Sequence, residues 1–85
     1  MYQLRILPAA LKELNKLDKK THERVLITLA KVKQNPYIGK KMDGKRKNQY
    51  VVRVWPYRVV YEISNNLLVV LVIKIAHRQS VYKGL

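Results

Sequence analysis

The chain has 85 residues, 48% of them apolar, which suits one domain with one small core, residues 1–85. Eighteen Lys and Arg against five Asp and Glu give a net charge of +13, which indicates a polyanionic partner, either nucleic acid or an acidic protein that mimics it. The lack of cysteine excludes disulfides, thiolate metal sites and cysteine nucleophiles. The N-terminal residues do not form a signal peptide, and no apolar run could span a bilayer, so we expect a cytoplasmic protein.

The first part of the chain predicts a strand followed by a helical hairpin. Residues 2–7 alternate in the manner of a half-buried strand, and Pro8 suits the first turn of a helix. Asp18 is a good N-cap for a second helix over about residues 19–33, which Asn35–Pro36 ends. The expected apolar sides of the two helices are Leu11, Leu14 and Leu17 in the first, and Leu26, Leu29 and Val32, flanked by Val25 and Ala30, in the second.

The segment from Pro36 to Asn48 is predicted to be a loop. A run of cations is commonly only a solvated surface, but this one precedes further arginines, so contact with RNA is an equal alternative. The cations of this loop are Lys40, Lys41, Lys45, Arg46 and Lys47.

The remaining sequence predicts three strands and a short polar tail. Residues 50–55 and 57–63 alternate on either side of a Trp55–Pro56 turn. After a turn at residues 64–66, residues 67–76 form a nearly continuous apolar run, as expected of a central strand covered on both faces. The predicted fold class is therefore α+β, with the order β-α-α-β-β-β: an N-terminal strand, a helical hairpin and a three-stranded antiparallel meander.

Three arginines are the main candidates for chemistry. Strand alternation puts Arg53 and Arg58 on the face of the sheet that lacks helices, and Arg78 directly follows the last strand with the parity of Lys74 and Ala76. Guanidinium groups that share a concave surface need an anion, and their planar fork matches a phosphate. Each arginine alone could be a solvated surface residue, whereas the three together favour a phosphate site.

Aromatic residues and one histidine accompany these arginines. Trp55 and Tyr82 are candidates for stacking on the bases of single-stranded RNA, whereas Tyr50, Tyr57 and Tyr61 share the core face. His77 is either a structural residue at a strand end or a proton donor or acceptor beside Arg78. No metal site is expected, because the five carboxylates are scattered along the sequence.

Four motifs, in this order, resemble the RelE/ParE toxin superfamily over nearly the whole chain. They are Met42-Asp43-Gly44, Tyr50-Val51-Val52-Arg53-Val54, Tyr57-Arg58-Val59-Val60-Tyr61-Glu62-Ile63 and His77-Arg78-Gln79-Ser80-Val81-Tyr82. The resemblance implies the toxin of a type II toxin–antitoxin pair with a RelB-like antitoxin as its partner. RelE-like members cut mRNA in the ribosomal A site, whereas ParE-like members inhibit DNA gyrase without nuclease chemistry. The His-Arg-x-x-Val-Tyr tail resembles the RelE branch.

The resemblance also implies roles for individual residues. Arg58 and Arg78 would hold the scissile phosphate, Tyr82 would stack on a base or help to activate the 2′-hydroxyl, and Arg53 occupies a position that is usually basic in the family. The sequence departs from the family at Val51, where many relatives have a second cation. The general base therefore stays open between His77, Tyr82 and a lysine of the 45–47 loop. The expected reaction is metal-free and cofactor-free attack of the 2′-hydroxyl, which leaves a 2′,3′-cyclic phosphate.

Overall fold

The computed structural model describes residues 2–42, 44 and 48–77. Within these ranges the elements follow the predicted α+β order. The elements are β1 (Gln3–Ile6), α1 (Pro8–Lys16), α2 (Lys19–Gln34), a one-turn 3-10 helix (Pro36–Ile38), β2 (Lys40–Lys41), β3 (Gln49–Val54), β4 (Tyr57–Ser64) and β5 (Val69–His77). No helix within these ranges has the length and apolarity needed to cross a membrane.

The strands form one five-stranded sheet in the order β1-β5-β4-β3-β2. The β3-β4-β5 part is the predicted antiparallel meander. The N-terminal strand β1 joins the far side of β5 in parallel, because the two helices that follow β1 carry the chain across the sheet. A β-bulge lies where β5 pairs with Val60 and Tyr61.

The ends of the helices follow from short local signals. Pro8 is the first residue of α1, and the Asp18 carboxylate accepts a hydrogen bond from the Thr21 amide at the start of α2. This bond stabilises the ionised carboxylate and lowers the pKa of Asp18. The predicted hairpin is confirmed, with α2 one residue longer than expected.

Both helices pack on one face of the sheet and form the main core with it. The predicted apolar sides were partly wrong, because Leu11 and Leu26 are exposed and α2 buries Val25 in place of Leu26. The buried residues of the helices are Ala10, Leu14, Val25, Leu29 and Val32. From the sheet, the core takes Val54, Val59, Tyr61, Ile63, Val70, Val72 and Ile75.

Two predictions about the second half need correction. The segment after Pro36 is not wholly a loop, since it contains the 3-10 helix and the edge strand β2, which pairs with Tyr50 and Val51 of β3. Strand β5 begins at Val69 rather than at residue 67, and only Val70, Val72 and Ile75 of its side chains are buried. The strand lies inside the sheet, between β1 and β4, but the helices of the described residues cover only one of its faces. The other face of the sheet is called the open face below.

Candidate phosphate-binding groove

Arg53 and Arg58 are direct partners across the β3-β4 hairpin. Their side chains share the open face, since the core takes the alternate residues Val54 and Val59. Residues directly opposite each other in an antiparallel pair have Cβ atoms about 4.5–5.5 Å apart. The sequence prediction that the two arginines meet on the open face is confirmed.

The two arginines line a groove of about 310 Å³ at the β2 side of the sheet. Lys40 contributes a third cation, and Ile38 and Gly39 form the adjoining wall. The remaining lining residues of the groove are Val51 and Val52.

An apolar floor underlies these cations. Val51 and Val60 are buried on the open face and pack with Met42 and Ala76. Arg58 is half-buried, and its Nε atom is shielded from solvent. Electrostatic interactions are stronger in such a partly desolvated setting than in bulk water. Val51 therefore contributes to the floor of the groove.

A buried tyrosine fixes the wall of the groove to the sheet. The Tyr61 hydroxyl donates a hydrogen bond to the Pro36 carbonyl at 2.6 Å and accepts one from the Gly39 amide at 3.1 Å. Burial raises the pKa of this phenol, and the Gly39 amide partly offsets the effect. The two bonds hold the 3-10 helix and the start of β2, and with them Lys40, at the edge of the arginine pair.

Close approach of the backbone explains the glycine in this wall. A Cβ atom at Gly39 would collide with the Tyr61 hydroxyl and would lie 2.9 Å from the Val51 carbonyl oxygen. A larger residue would therefore push β2 away from β3, and Lys40 with it.

The arrangement of cations favours an anionic ligand. Arg53 and Arg58 lie directly opposite each other, and like charges in this position repel across a β-hairpin. A phosphate between them would offset this repulsion, because each guanidinium can donate two parallel hydrogen bonds to its oxygens. Lys40 would add a point charge at the rim.

Trp55 lies at the tip of the same hairpin, with 52% of its surface exposed. Its carbonyl oxygen accepts a hydrogen bond from Arg24 Nη1 of α2 at 2.9 Å, which ties the tip of the hairpin to the helical layer. Stacking of Trp55 on a base, the role suggested by the sequence, stays a prediction.

His77 is not brought to the arginines. It pairs with Tyr57 in the β4-β5 register, and the two rings make an edge contact with centroids 5.8 Å apart. Tyr57 has the parity of Val59 and Tyr61, so His77 lies on the helix-covered side, whereas Arg58 lies on the open face. The geometry therefore does not support His77 as the proton-transfer group of this groove.

The remaining predicted site residues either lie away from the groove or fall outside the described ranges. Lys41 pairs with Tyr50, so it has the opposite parity to Lys40 and does not line the groove. Among the described residues, no group of three His, Cys, Asp or Glu side chains could hold a metal ion. The predicted residues that lie outside the described ranges are Lys45, Arg46, Lys47, Arg78 and Tyr82.

Sequence reasoning missed the wall of the groove. Ile38 and Gly39 fell inside a predicted loop, and no residue pattern there signals a two-residue edge strand. Lys40 was noted only as one cation in a basic run. One signal could have found the wall. Strand alternation places Tyr61 on the core face, and a buried tyrosine hydroxyl needs a hydrogen-bond partner, which indicates that a neighbouring backbone segment lies against it.

Comparison with known protein families and solved structures identifies the class of protein to which this fold and groove belong. A sequence profile described as the ParE toxin of type II toxin–antitoxin systems, parDE, matches residues 4–82. The chain therefore belongs to this toxin family, and within the RelE/ParE superfamily it is RelE-like. The comparison with curated proteins finds no match.

Solved structures show the same relationship. The Escherichia coli RelE toxin in the intact RelBE toxin–antitoxin complex has a TM-score of 0.80 and 29% identity, over 91% of this chain and 96% of that chain. The isolated E. coli RelE toxin has a TM-score of 0.81 and 29% identity, over 98% and 93% of the two chains. The archaeal RelE–RelB complex from Pyrococcus horikoshii has a TM-score of 0.82 at 23% identity, over 94% and 98%, a likeness of fold alone.

Proposed function

We propose that this toxin is a ribosome-dependent endoribonuclease that cuts mRNA in the A site without a metal ion. The observation that carries the proposal is the opposed pair Arg53 and Arg58 on the apolar floor of one groove. Membership of the toxin family and likeness to E. coli RelE support it. The carboxylates within the described ranges are Glu13, Asp18, Glu23 and Glu62, and none of them lines the groove. The charged side chains that line it are therefore all cations.

The proposed reaction is an in-line transesterification. The 2′-hydroxyl oxygen attacks the adjacent phosphorus, the bond to the 5′-oxygen of the next nucleotide breaks, and the products are a 2′,3′-cyclic phosphate and a 5′-hydroxyl. One proton leaves the 2′-hydroxyl and one joins the departing oxygen. Arg53 and Arg58 would hold the phosphate and stabilise the added negative charge of its transition state, as preorganised donors do. Positioning of the 2′-hydroxyl supplies much of the remaining acceleration.

Further residues complete the proposal. Arg78 would hold the scissile phosphate with Arg58, and Tyr82 would stack on a base or help to activate the 2′-hydroxyl. Arginine stays protonated, so it does not serve as the base. Tyr82 and the lysines of the 45–47 loop are the remaining candidates for that role. Lys40, Lys41, Arg46 and Trp55 would contact neighbouring parts of the RNA.

Primer extension on a translated mRNA, with and without the toxin, tests the proposal. We expect cuts within the translated region, and their loss in Arg58→Gln, because removal of one preorganised donor costs about 10²–10³ in rate. Lys12→Gln, an exposed lysine of α1, is the charge-matched control and should cut normally. Full cutting by Arg58→Gln would contradict the assigned role, and cutting that needs added magnesium on intact ribosomes would contradict the metal-free mechanism.

A second candidate is inhibition of DNA gyrase, favoured by the match to the ParE profile over residues 4–82. In that case the protein would bind an enzyme and perform no chemistry of its own. Expression in cells separates the two functions: a nuclease cleaves mRNA at once, whereas a gyrase inhibitor induces the DNA-damage response and leaves mRNA intact.

An acidic antitoxin similar to RelB is the proposed partner in both cases. The E. coli and P. horikoshii relatives were crystallised with RelB, and the net charge of +13 favours an acidic wrapping segment. Co-expression should neutralise the toxin, and the affinity of the pair should fall as the salt concentration rises.

A further inference from the structure

Two more cations lie on the open face beyond the groove. Lys74 of β5 pairs with Val60 of β4, and Val60 belongs to the small apolar cluster of the open face. Arg5 of β1 pairs with Leu71 of β5, while its neighbours Leu4 and Ile6 pack against the main core. By register, Lys74 and Arg5 therefore belong to the same side of the sheet as Arg58, and Lys74 also borders a groove at the sheet edge with Glu13 of α1.

The register arranges these three cations in a diagonal row. Measured along β4, Lys74 lies one strand and two residues away from Arg58, because Arg58 pairs with Ala76 and Val60 pairs with Lys74. Arg5 lies a further strand and two more residues away, since Leu71 pairs with both Glu62 and Arg5. With strands about 4.8 Å apart and a rise of about 3.4 Å per residue, each step is about 8 Å and the row about 17 Å long.

We infer that Lys74 and Arg5 bind backbone phosphates of the mRNA on one side of the scissile phosphate. The inference rests on the proposed nuclease function and assigns substrate-binding residues outside the groove. Proteins that bind single-stranded nucleic acid line the backbone path with cations, and a row of this length follows several nucleotides. The two side chains position the strand and do not touch the reacting atoms.

The surroundings of Arg5 fit a nucleic acid chain. Arg5 and Glu62 line a second open-face groove of about 410 Å³ together with Leu67, Val69 and Leu71. Half-buried and exposed aliphatic side chains can contact bases, while the cations contact the backbone. Glu62 repels phosphates, so it confines the backbone to the side of Lys74 and Arg5.

Binding of non-cleavable RNA tests the row. A trinucleotide and an octanucleotide with 2′-O-methyl groups cannot be cut, and the trinucleotide is too short to reach from Arg58 to Arg5. Lys74→Gln and Arg5→Gln should each weaken octanucleotide binding about two- to fivefold, as expected for an exposed ion pair. Each should also reduce the slope of log K against log salt by about 0.7. Trinucleotide binding should stay unchanged in Arg5→Gln, whereas Lys74→Gln, only about 8 Å from Arg58, should weaken it as well.

Matched variants separate charge from folding. Lys74→Arg and Arg5→Lys keep the charge and should bind the octanucleotide as the wild type does, and Lys12→Gln of α1 should do the same. Glu62→Gln should tighten binding, because it removes the only carboxylate on the described part of the open face. If Lys74→Gln and Arg5→Gln bind the octanucleotide as tightly as Lys12→Gln does, the inference is wrong.

Cutting on ribosomes and affinity for ribosomes that carry no mRNA show whether the row or the nuclease proposal is at fault. If Arg58→Gln loses mRNA cutting while Lys74→Gln and Arg5→Gln bind and cut normally, the row is refuted and the nuclease proposal stands. If octanucleotide binding depends on the row but no cutting occurs on ribosomes, the row is supported as an RNA path and the nuclease proposal fails. If Lys74→Gln and Arg5→Gln bind the octanucleotide normally but bind ribosomes that carry no mRNA more weakly, the row contacts ribosomal RNA. In that case its assignment to the mRNA is wrong.

Discussion

Replacing Tyr61 with phenylalanine removes one oxygen atom from the point where the groove wall meets the core. The ring is fully buried and stacks on Tyr50 with centroids 5.8 Å apart, so packing is preserved. The change removes two hydrogen bonds, to the Pro36 carbonyl and from the Gly39 amide. At about 1 kcal/mol for each bond, Tyr61→Phe should lower the free energy of unfolding by about 2 kcal/mol. For a domain of this size, that is a fall in Tm of about 8–16 °C.

The same variant should affect the groove more than its stability loss alone would suggest. Without the two bonds, Lys40 is held beside Arg53 and Arg58 only by the pairing of β2 with β3, so mRNA cutting should fall even at temperatures where the variant is fully folded. Urea unfolding, followed by far-ultraviolet circular dichroism, gives the stability. Single-turnover cutting well below Tm gives the activity.

Tyr50→Phe is the matched control, because the Tyr50 ring stacks on Tyr61 and contacts Tyr37. Among the described residues, the Tyr50 hydroxyl makes no hydrogen bond. Its removal should therefore change the free energy of unfolding by less than about 0.5 kcal/mol. If Tyr61→Phe were no less stable than Tyr50→Phe, the reasoning about the anchored wall would be refuted.

Three other substitutions probe single contacts. Asp18→Asn should keep the N-cap but make the free energy of unfolding depend less on pH in acid. Because the pKa of Asp18 is lowered in the folded state, the ionised carboxylate stabilises the wild type above about pH 4, and this stabilisation is lost as the pH falls through the folded-state pKa. Urea titrations from pH 5 to pH 2 would show the difference, and parallel curves would contradict it. Arg24→Met should cost about 0.5–1.5 kcal/mol through the lost bond to the Trp55 carbonyl and should change the tryptophan fluorescence, whereas an unchanged spectrum and stability would argue against the tie. Gly39→Ala should cost about 1–3 kcal/mol, because the new methyl group collides with the Tyr61 hydroxyl; thermal unfolding checks it, and an unchanged Tm would contradict it.

The fold was largely readable from the sequence because its signals are local. Pro8 and Asp18 mark where helices begin, and strict alternation assigns the faces of β3 and β4. The helix stripes were harder, since Leu26 lies between Val25 and Ile27, and neighbouring apolar residues fit more than one helical face. The position of β1 beside β5 was not readable either, because parallel pairing depends on contacts far apart in the sequence.

The candidate site divides in the same way. Arg53 and Arg58 belong to one hairpin, whose register follows from its two-residue turn, so their meeting could be predicted. For His77 the sequence left a structural role and a proton-transfer role open, and its pairing and ring contact with Tyr57 fit the structural one. Lys40 reaches the groove through the edge strand β2 and the Tyr61 anchor, a tertiary contact without a local sequence pattern.

The most direct test of the central claim, that Arg53 and Arg58 hold one phosphate together, is a double-mutant cycle on the rate of mRNA cutting on ribosomes. We expect Arg53→Gln and Arg58→Gln each to slow the reaction. If the two effects were independent, the fold-losses of the single variants would multiply in the double variant; we expect a much smaller loss than that, because both side chains act on the same group. Losses that multiply independently, or a single variant that cuts at the wild-type rate, would contradict it.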